Sequence, residues 1–221
     1  NSPFTWEKKL KKTNTVFFYN DKKAVQSQIY IIVEGEVMNL EERHRSNIFN
    51  KYFGGSMSGL VFQEIREFRS LAYSARGTYR RPYYFDRSGR FEGFIGTQAD
   101  KTIDAIETYI NLLTDMPEKT NRIDGIKSGL LESLSSSKPS FRSMSLSIRG
   151  WEKQGYETDP RKTKKNVYDS ADFNDIKDFY DNYIKDKPIT ITIVGNKDKI
   201  DMEKLSEYGR IIEVKTEDIL N

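Results

Sequence analysis

The 221-residue sequence contains no cysteine and one histidine, His44. Without cysteine, disulfides and a Cys-His nucleophile pair are excluded. One histidine cannot complete a two-histidine metal site and leaves very little for a Ser-His-Asp arrangement. His44 stands in Glu41-Glu42-Arg43-His44-Arg45-Ser46 and reads as a surface residue on a charged helix. An excess of one charge is also lacking. The 36 basic and 33 acidic residues leave a net charge of +3, too balanced to imply a nucleic-acid or membrane partner. No run of about 18 apolar residues occurs, so no helix is expected to span a membrane. The many carboxylates allow numerous acid pairs, and sequence alone does not choose among them.

What is present is an ordinary globular composition, with 13 Tyr and 13 Phe supplying much of the packing volume. The length suffices for one good core. The chain opens on Asn1 rather than Met, and reads as one domain, residues 1–221, taken from something longer. Short β-branched and aromatic runs predict strands at Thr15–Tyr19, Ser27–Val33, Ala72–Tyr79, Phe91–Gln98, Ile189–Val194 and Gly209–Val214. Helical patterns cover Leu40–Phe53, Ser56–Phe68, Asp100–Thr114, Glu118–Leu134, Phe141–Lys153 and Asp172–Ile184. Strands, two helices, two strands, several helices and two strands make an α+β order. It predicts a two-layer domain, a mixed sheet with helices packed on one face.

Within the Ser56–Phe68 pattern, Met57, Val61, Ile65 and Phe68 recur at helical spacing and should share one buried face. Arg66 then lies on another side with Phe62 and Arg69, and read alone it is a solvated arginine. Tyr73 opens the next strand and, read alone, is a packed ring with its hydroxyl at the rim. Gly54-Gly55-Ser56-Met57-Ser58-Gly59 lacks the Lys-[Ser/Thr] ending of a phosphate loop. Small residues between two helices instead allow a tight turn and close packing.

The residues from Phe49 to Tyr79 carry a more specific pattern. Phe62-x-Glu64-Ile65-Arg66 is followed by Leu71-Ala72-Tyr73-Ser74, with Phe49-Asn50-Lys51-Tyr52-Phe53-Gly54-Gly55-Ser56-Met57-Ser58 just upstream. This resembles a signature of the pitrilysin/insulinase family of zinc metallopeptidases, whose active domain carries an inverted His-x-x-Glu-His motif. In that family the signature also occurs in a related domain without metal, and one histidine places this chain with the second kind. The resemblance implies a non-catalytic, metal-free domain with no catalytic residues and no cofactor of its own. Zinc would belong to a peptidase domain on the same or a partner chain, and the substrate would be a peptide. It further implies that Arg66 and Tyr73 reach toward the other domain's active site and contact backbone carbonyls of an extended peptide. Arg69 leaves open which arginine faces the chamber. The glycine-rich turn would line that chamber. The alternative is a non-enzymatic module that keeps the fold for assembly alone.

Arg76 to Phe91 interleaves Arg76, Arg80, Arg81, Arg87 and Arg90 with Tyr79, Tyr83, Tyr84 and Phe85. Basic groups among aromatics can suit single-stranded nucleic acid. The balanced total charge and the absence of a nucleic-acid motif favour two other readings: a solvated hairpin connection, or a surface that grips a partner domain.

Overall fold

The structure, a computed structural model, describes residues 12–55, 57–67 and 72–220. Six strands form one sheet: β1 (Thr15–Asn20), β2 (Gln26–Val37), β3 (Ser74–Arg80), β4 (Ser88–Gln98), β5 (Ile189–Gly195) and β6 (Arg210–Glu213). Their order is β3-β4-β2-β5-β1-β6. The β5-β1-β6 half is parallel and the β3-β4-β2-β5 half antiparallel. Each expected strand is present, and the sheet is mixed as its order implied.

Alternation along the strands decides which face is covered. Ile29, Ile31 and Val33 of β2, Phe91 and Ile95 of β4, and Ile191 and Ile193 of β5 point into the core. The helices that cover this face include α1 (Leu40–Phe53), α2 (Thr102–Thr114), α3 (Ile123–Ser136) and α6 (Phe173–Tyr183). On the other face Tyr30 packs against Phe94 at 5.0 Å with the rings tilted 58°, and the Arg76 guanidinium lies 4.3 Å above the Phe94 ring.

α1 is the main strut. Asn39 caps it by accepting a 2.8 Å bond from the Glu42 amide, and Gly54 ends it as a C-cap. Its lower half buries Ile48, Phe49, Tyr52 and Phe53. Phe49 packs between Phe53 at 5.2 Å and Phe179 at 5.3 Å. The same end of the helix covers the β3 edge, where unpaired backbone groups would otherwise be open to another strand. Asn50 Nδ2 donates to the Tyr79 carbonyl at 3.0 Å, and the Tyr79 amide donates to Asn50 Oδ1 at 2.6 Å. A Cβ on Gly54 would lie 2.7 Å from Gly77 N, and closer still to the Gly77 carbonyl oxygen. The glycine-rich turn is therefore a close backbone approach.

Several elements depart from the sequence reading. The expected Ser56–Phe68 helix is a turn at 57–59, then one helical step leading into a π-helical segment, Phe62–Glu67. Val61 and Ile65 are fully buried as their spacing required, but Met57 precedes the helical part and is 78% exposed. Phe68 lies outside the described residues. The Glu118–Leu134 pattern begins as regular helix only at Ile123, after a short 3-10 turn. Phe141–Lys153 divides into a 3-10 turn and α4 (Met144–Lys153). Three helices have no counterpart in the sequence reading: α5 (Pro160–Ser170), α7 (Met202–Glu207) and α8 (Thr216–Leu220). α5 is polar along most of its length, so its apolar stripe is thin. Its start is nonetheless written in Asp159 as N-cap and Pro160 at the first turn.

Candidate functional site

The segment that carries the signature is fixed from one side by the connection between α2 and α3. Lys119 Nζ meets Glu64 Oε1 at 2.8 Å, and Arg122 donates to the Ser58 carbonyl at 2.8 Å and to the Gln63 side chain. Tyr52 OH anchors this connection, donating to the Pro117 carbonyl and accepting from the Lys119 amide at 3.0 Å. Phe62–Glu67 thus stands between the core, reached through Ile65, and a polar clamp reached through Gln63 and Glu64. A π-helical turn closes i→i+5 hydrogen bonds and holds more residues than an α-helical turn, and such turns recur at functional sites.

Arg66 belongs to this π-helical segment by its backbone. Its side chain, like Arg69, lies outside the described residues. Tyr73 stands one residue before β3, not at its first position, and its amide donates to the Gly96 carbonyl at 2.9 Å. Strand alternation placed it with Gly77 and Tyr79, both buried, yet Tyr73 is 55% exposed because it lies at the end of the sheet. Gln98 Nε2 at the end of β4 donates to its hydroxyl at 2.9 Å. That bond occupies a lone pair of the phenol oxygen and leaves its own proton free to be donated.

His44 is not a surface residue. It is 0% exposed, stacked on Tyr156 with ring centroids 5.6 Å apart and planes 9° from parallel. Among the described residues neither ring nitrogen has a hydrogen-bond partner. Burial, then the positive fields of Lys164, Arg81 and Arg43, lower its pKa from 6.5 to about 4. It is therefore neutral at pH 7. Arg43 beside it is also buried: its Nη2 donates to the Pro82 carbonyl at 2.8 Å, and Arg81 Nη1 donates to the Arg43 carbonyl at 2.7 Å. The sequence Glu-Glu-Arg-His-Arg gave no sign of this, since the enclosing groups come from distant segments.

These residues do not fit zinc. Among the described residues no three His, Cys, Asp or Glu side chains gather where they could hold a metal ion. The only histidine is surrounded by cations that would oppose one.

The arginine- and tyrosine-rich stretch is largely satisfied within the chain. Arg80 and Arg90 flank Glu92, Arg87 lies 4.9 Å over Tyr84, and Arg81 turns toward α1. Tyr83, Tyr84 and Phe85 stay exposed, and Lys153 of α4 approaches the Tyr83 ring at 5.9 Å. No helix among the described residues is long and apolar enough to cross a membrane.

Comparison with known proteins agrees with this architecture. The family described as "Peptidase M16 inactive domain" matches residues 3–130. A curated protein of Rickettsia felis, described as an uncharacterized zinc protease, is 33% identical over 108 residues, which is 48% of this chain and 26% of that protein. A protein of the same description from Rickettsia bellii is 39% identical over 82 residues, 37% of this chain and 19% of that protein. The chain thus spans about a quarter of the curated relatives it matches. Among solved structures, the peptidase M16 inactive domain of Pseudomonas fluorescens superposes with a TM-score of 0.70 at 13% identity, covering 84% of this chain and 44% of that one. A protease from Helicobacter pylori gives 0.69, also at 13% identity, covering 88% and 47%. At such identity the superpositions speak for the fold alone, a mixed sheet layered with helices. The sequence match over residues 3–130 adds the lineage, and the chain belongs to the peptidase M16 inactive-domain family.

Proposed function

We propose that this domain is the non-cutting half of a two-domain zinc metallopeptidase. It closes one side of a chamber and holds an extended peptide for cleavage by a partner His-x-x-Glu-His domain. The observation that carries the reading is the family membership of a chain whose own residues do not fit zinc. The naming of its relatives as zinc proteases supports a metal held by a partner domain rather than by these residues.

Arg66 and Tyr73 are the residues proposed to touch the peptide. Tyr73 supports the role through its exposure at the sheet end and a hydroxyl whose proton is free to be donated to a backbone carbonyl. Gln98 would orient that hydroxyl. Arg66 offers a planar fork of donors suited to carbonyl oxygens, on a segment whose neighbours are clamped in place. Donors fixed before the substrate arrives cost little reorganisation when charge develops on the scissile carbonyl.

The test is cleavage of a quenched fluorescent peptide library by this domain combined with its zinc-bearing partner. The domain alone should be silent. In the combination, Arg66→Ala should lower turnover by about 10²-fold or more, as loss of a donor to a developing oxyanion does. Tyr73→Phe should lower it less, since the ring remains. Turnover indifferent to both variants would reduce the domain to a structural wall, the assembly-module alternative.

A further inference from the structure

On the helical side, α1, α3 and α5 converge with the residue that follows β3 around a cleft of about 340 Å³. Lys51 and Asn47 enter it from α1, Ser133 from α3, Lys164 from α5, and Arg81 from the β3–β4 connection. Among the described residues no carboxylate lines it. Among the described residues, Lys51, Arg81 and Lys164 form no ion pair. Two neighbouring cations of α5 are matched: Arg161 holds Asp159, and Lys165 holds Asp169. Asp159, whose field reaches Lys164, is already engaged by Arg161 at 2.9 Å.

Like charges brought together without a counter-charge destabilise a fold, and they persist when something outside the chain compensates them. The backbone offers part of that compensation. Arg81 spends one donor on the Arg43 carbonyl, and Arg43 spends one on the Pro82 carbonyl. Among the described residues, the remaining donors of Arg81 and the whole ammonium of Lys164 have no acceptor. Burial lowers the pKa of both, and Lys164 also feels Arg81. Arg81 nonetheless keeps solvent access, through a concavity whose walls surround it. A planar fork, two mobile ammonium groups and a serine hydroxyl around a cleft of this size are the usual means of holding a multivalent oxyanion.

We propose that the cleft between α1, α3 and α5 binds a small multivalent oxyanion, a phosphate ester or a polycarboxylate, through Arg81, Lys164 and Lys51. The site is independent of the peptide-holding role and uses none of its residues. Occupancy would neutralise the cluster and tie three helices and the β3–β4 connection together, so the ligand should stabilise the fold.

The experiment titrates pyrophosphate and, separately, citrate into the full chain, with chloride of equal ionic strength as control. It follows thermal midpoints and the amide resonances of Asn47 and Ser133. A saturable rise in midpoint with shifts at those amides is expected, and whichever anion binds more tightly assigns the head group. Lys164→Gln should raise the ligand-free midpoint by relieving repulsion, and weaken binding by about tenfold or more. Lys51→Gln should weaken it less. Among the described residues neither lysine holds a hydrogen bond, so both variants should fold; Arg81 is kept because it supports the Arg43 carbonyl. Responses no larger than those to chloride, or binding unchanged in both variants, would overturn the site.

Discussion

The two halves of α1 are built on opposite principles. From Ile48 onward the helix buries Phe49, Tyr52 and Phe53 among other rings, and its stability there comes from removing apolar area from water. From Leu40 to Asn47 the same helix buries Arg43, His44 and Ser46. The buried arginine is held by the Pro82 carbonyl, while the histidine is tolerated only because it is uncharged. One helix therefore shows how an interior accommodates polar residues: a permanent charge needs an acceptor, whereas a titratable one can give up its charge.

That contrast can be broken at three places. Phe49→Ala removes a ring enclosed by two others and should cost about 3–5 kcal/mol, read as a lower urea midpoint with unchanged slope. His44→Phe keeps the stack on Tyr156 and removes the titration. The wild-type histidine has its folded pKa below the unfolded 6.5, so the unfolded chain binds the proton first. Its stability contribution is complete above pH 6.5 and is lost as pH falls toward 4. Wild type should lose up to about 3 kcal/mol across that window relative to His44→Phe, with the two nearly parallel above it. Parallel curves through the whole window would mean that the ring is not shielded. Asn50→Ala, which strips both bonds from the Tyr79 backbone, should cost about 1–3 kcal/mol. Faster hydrogen exchange at the Tyr79 amide would locate the loss at the β3 edge.

The signature region offers a second contrast, with the sheet. All six strands were readable because burial on one face writes period-two alternation directly into sequence, as in Ser27–Val33. The helix pattern of Ser56–Phe68 was only half right. Val61 and Ile65 are core residues, but a tight turn takes Met57 out of the helical part, and the wider π turn changes the phase after it. Tyr73 was placed by alternation and exposed by position, at the end of the sheet. The cationic cleft had no sequence signal, because Lys51, Arg81 and Lys164 belong to separate elements.

By itself the sequence determined the α+β order, the six strands, the one-sided helical layer, the family signature and the want of enough histidine for a zinc site. These follow from local periodicity, side-chain chemistry and counting, which need no knowledge of distant contacts. Only the tertiary structure decided that His44 is buried and neutral, that Gly54 lies against the Gly77 backbone, and that the cations Lys51, Arg81 and Lys164 share one cleft. Each depends on groups brought together from far along the chain, where desolvation and Coulomb fields act through space.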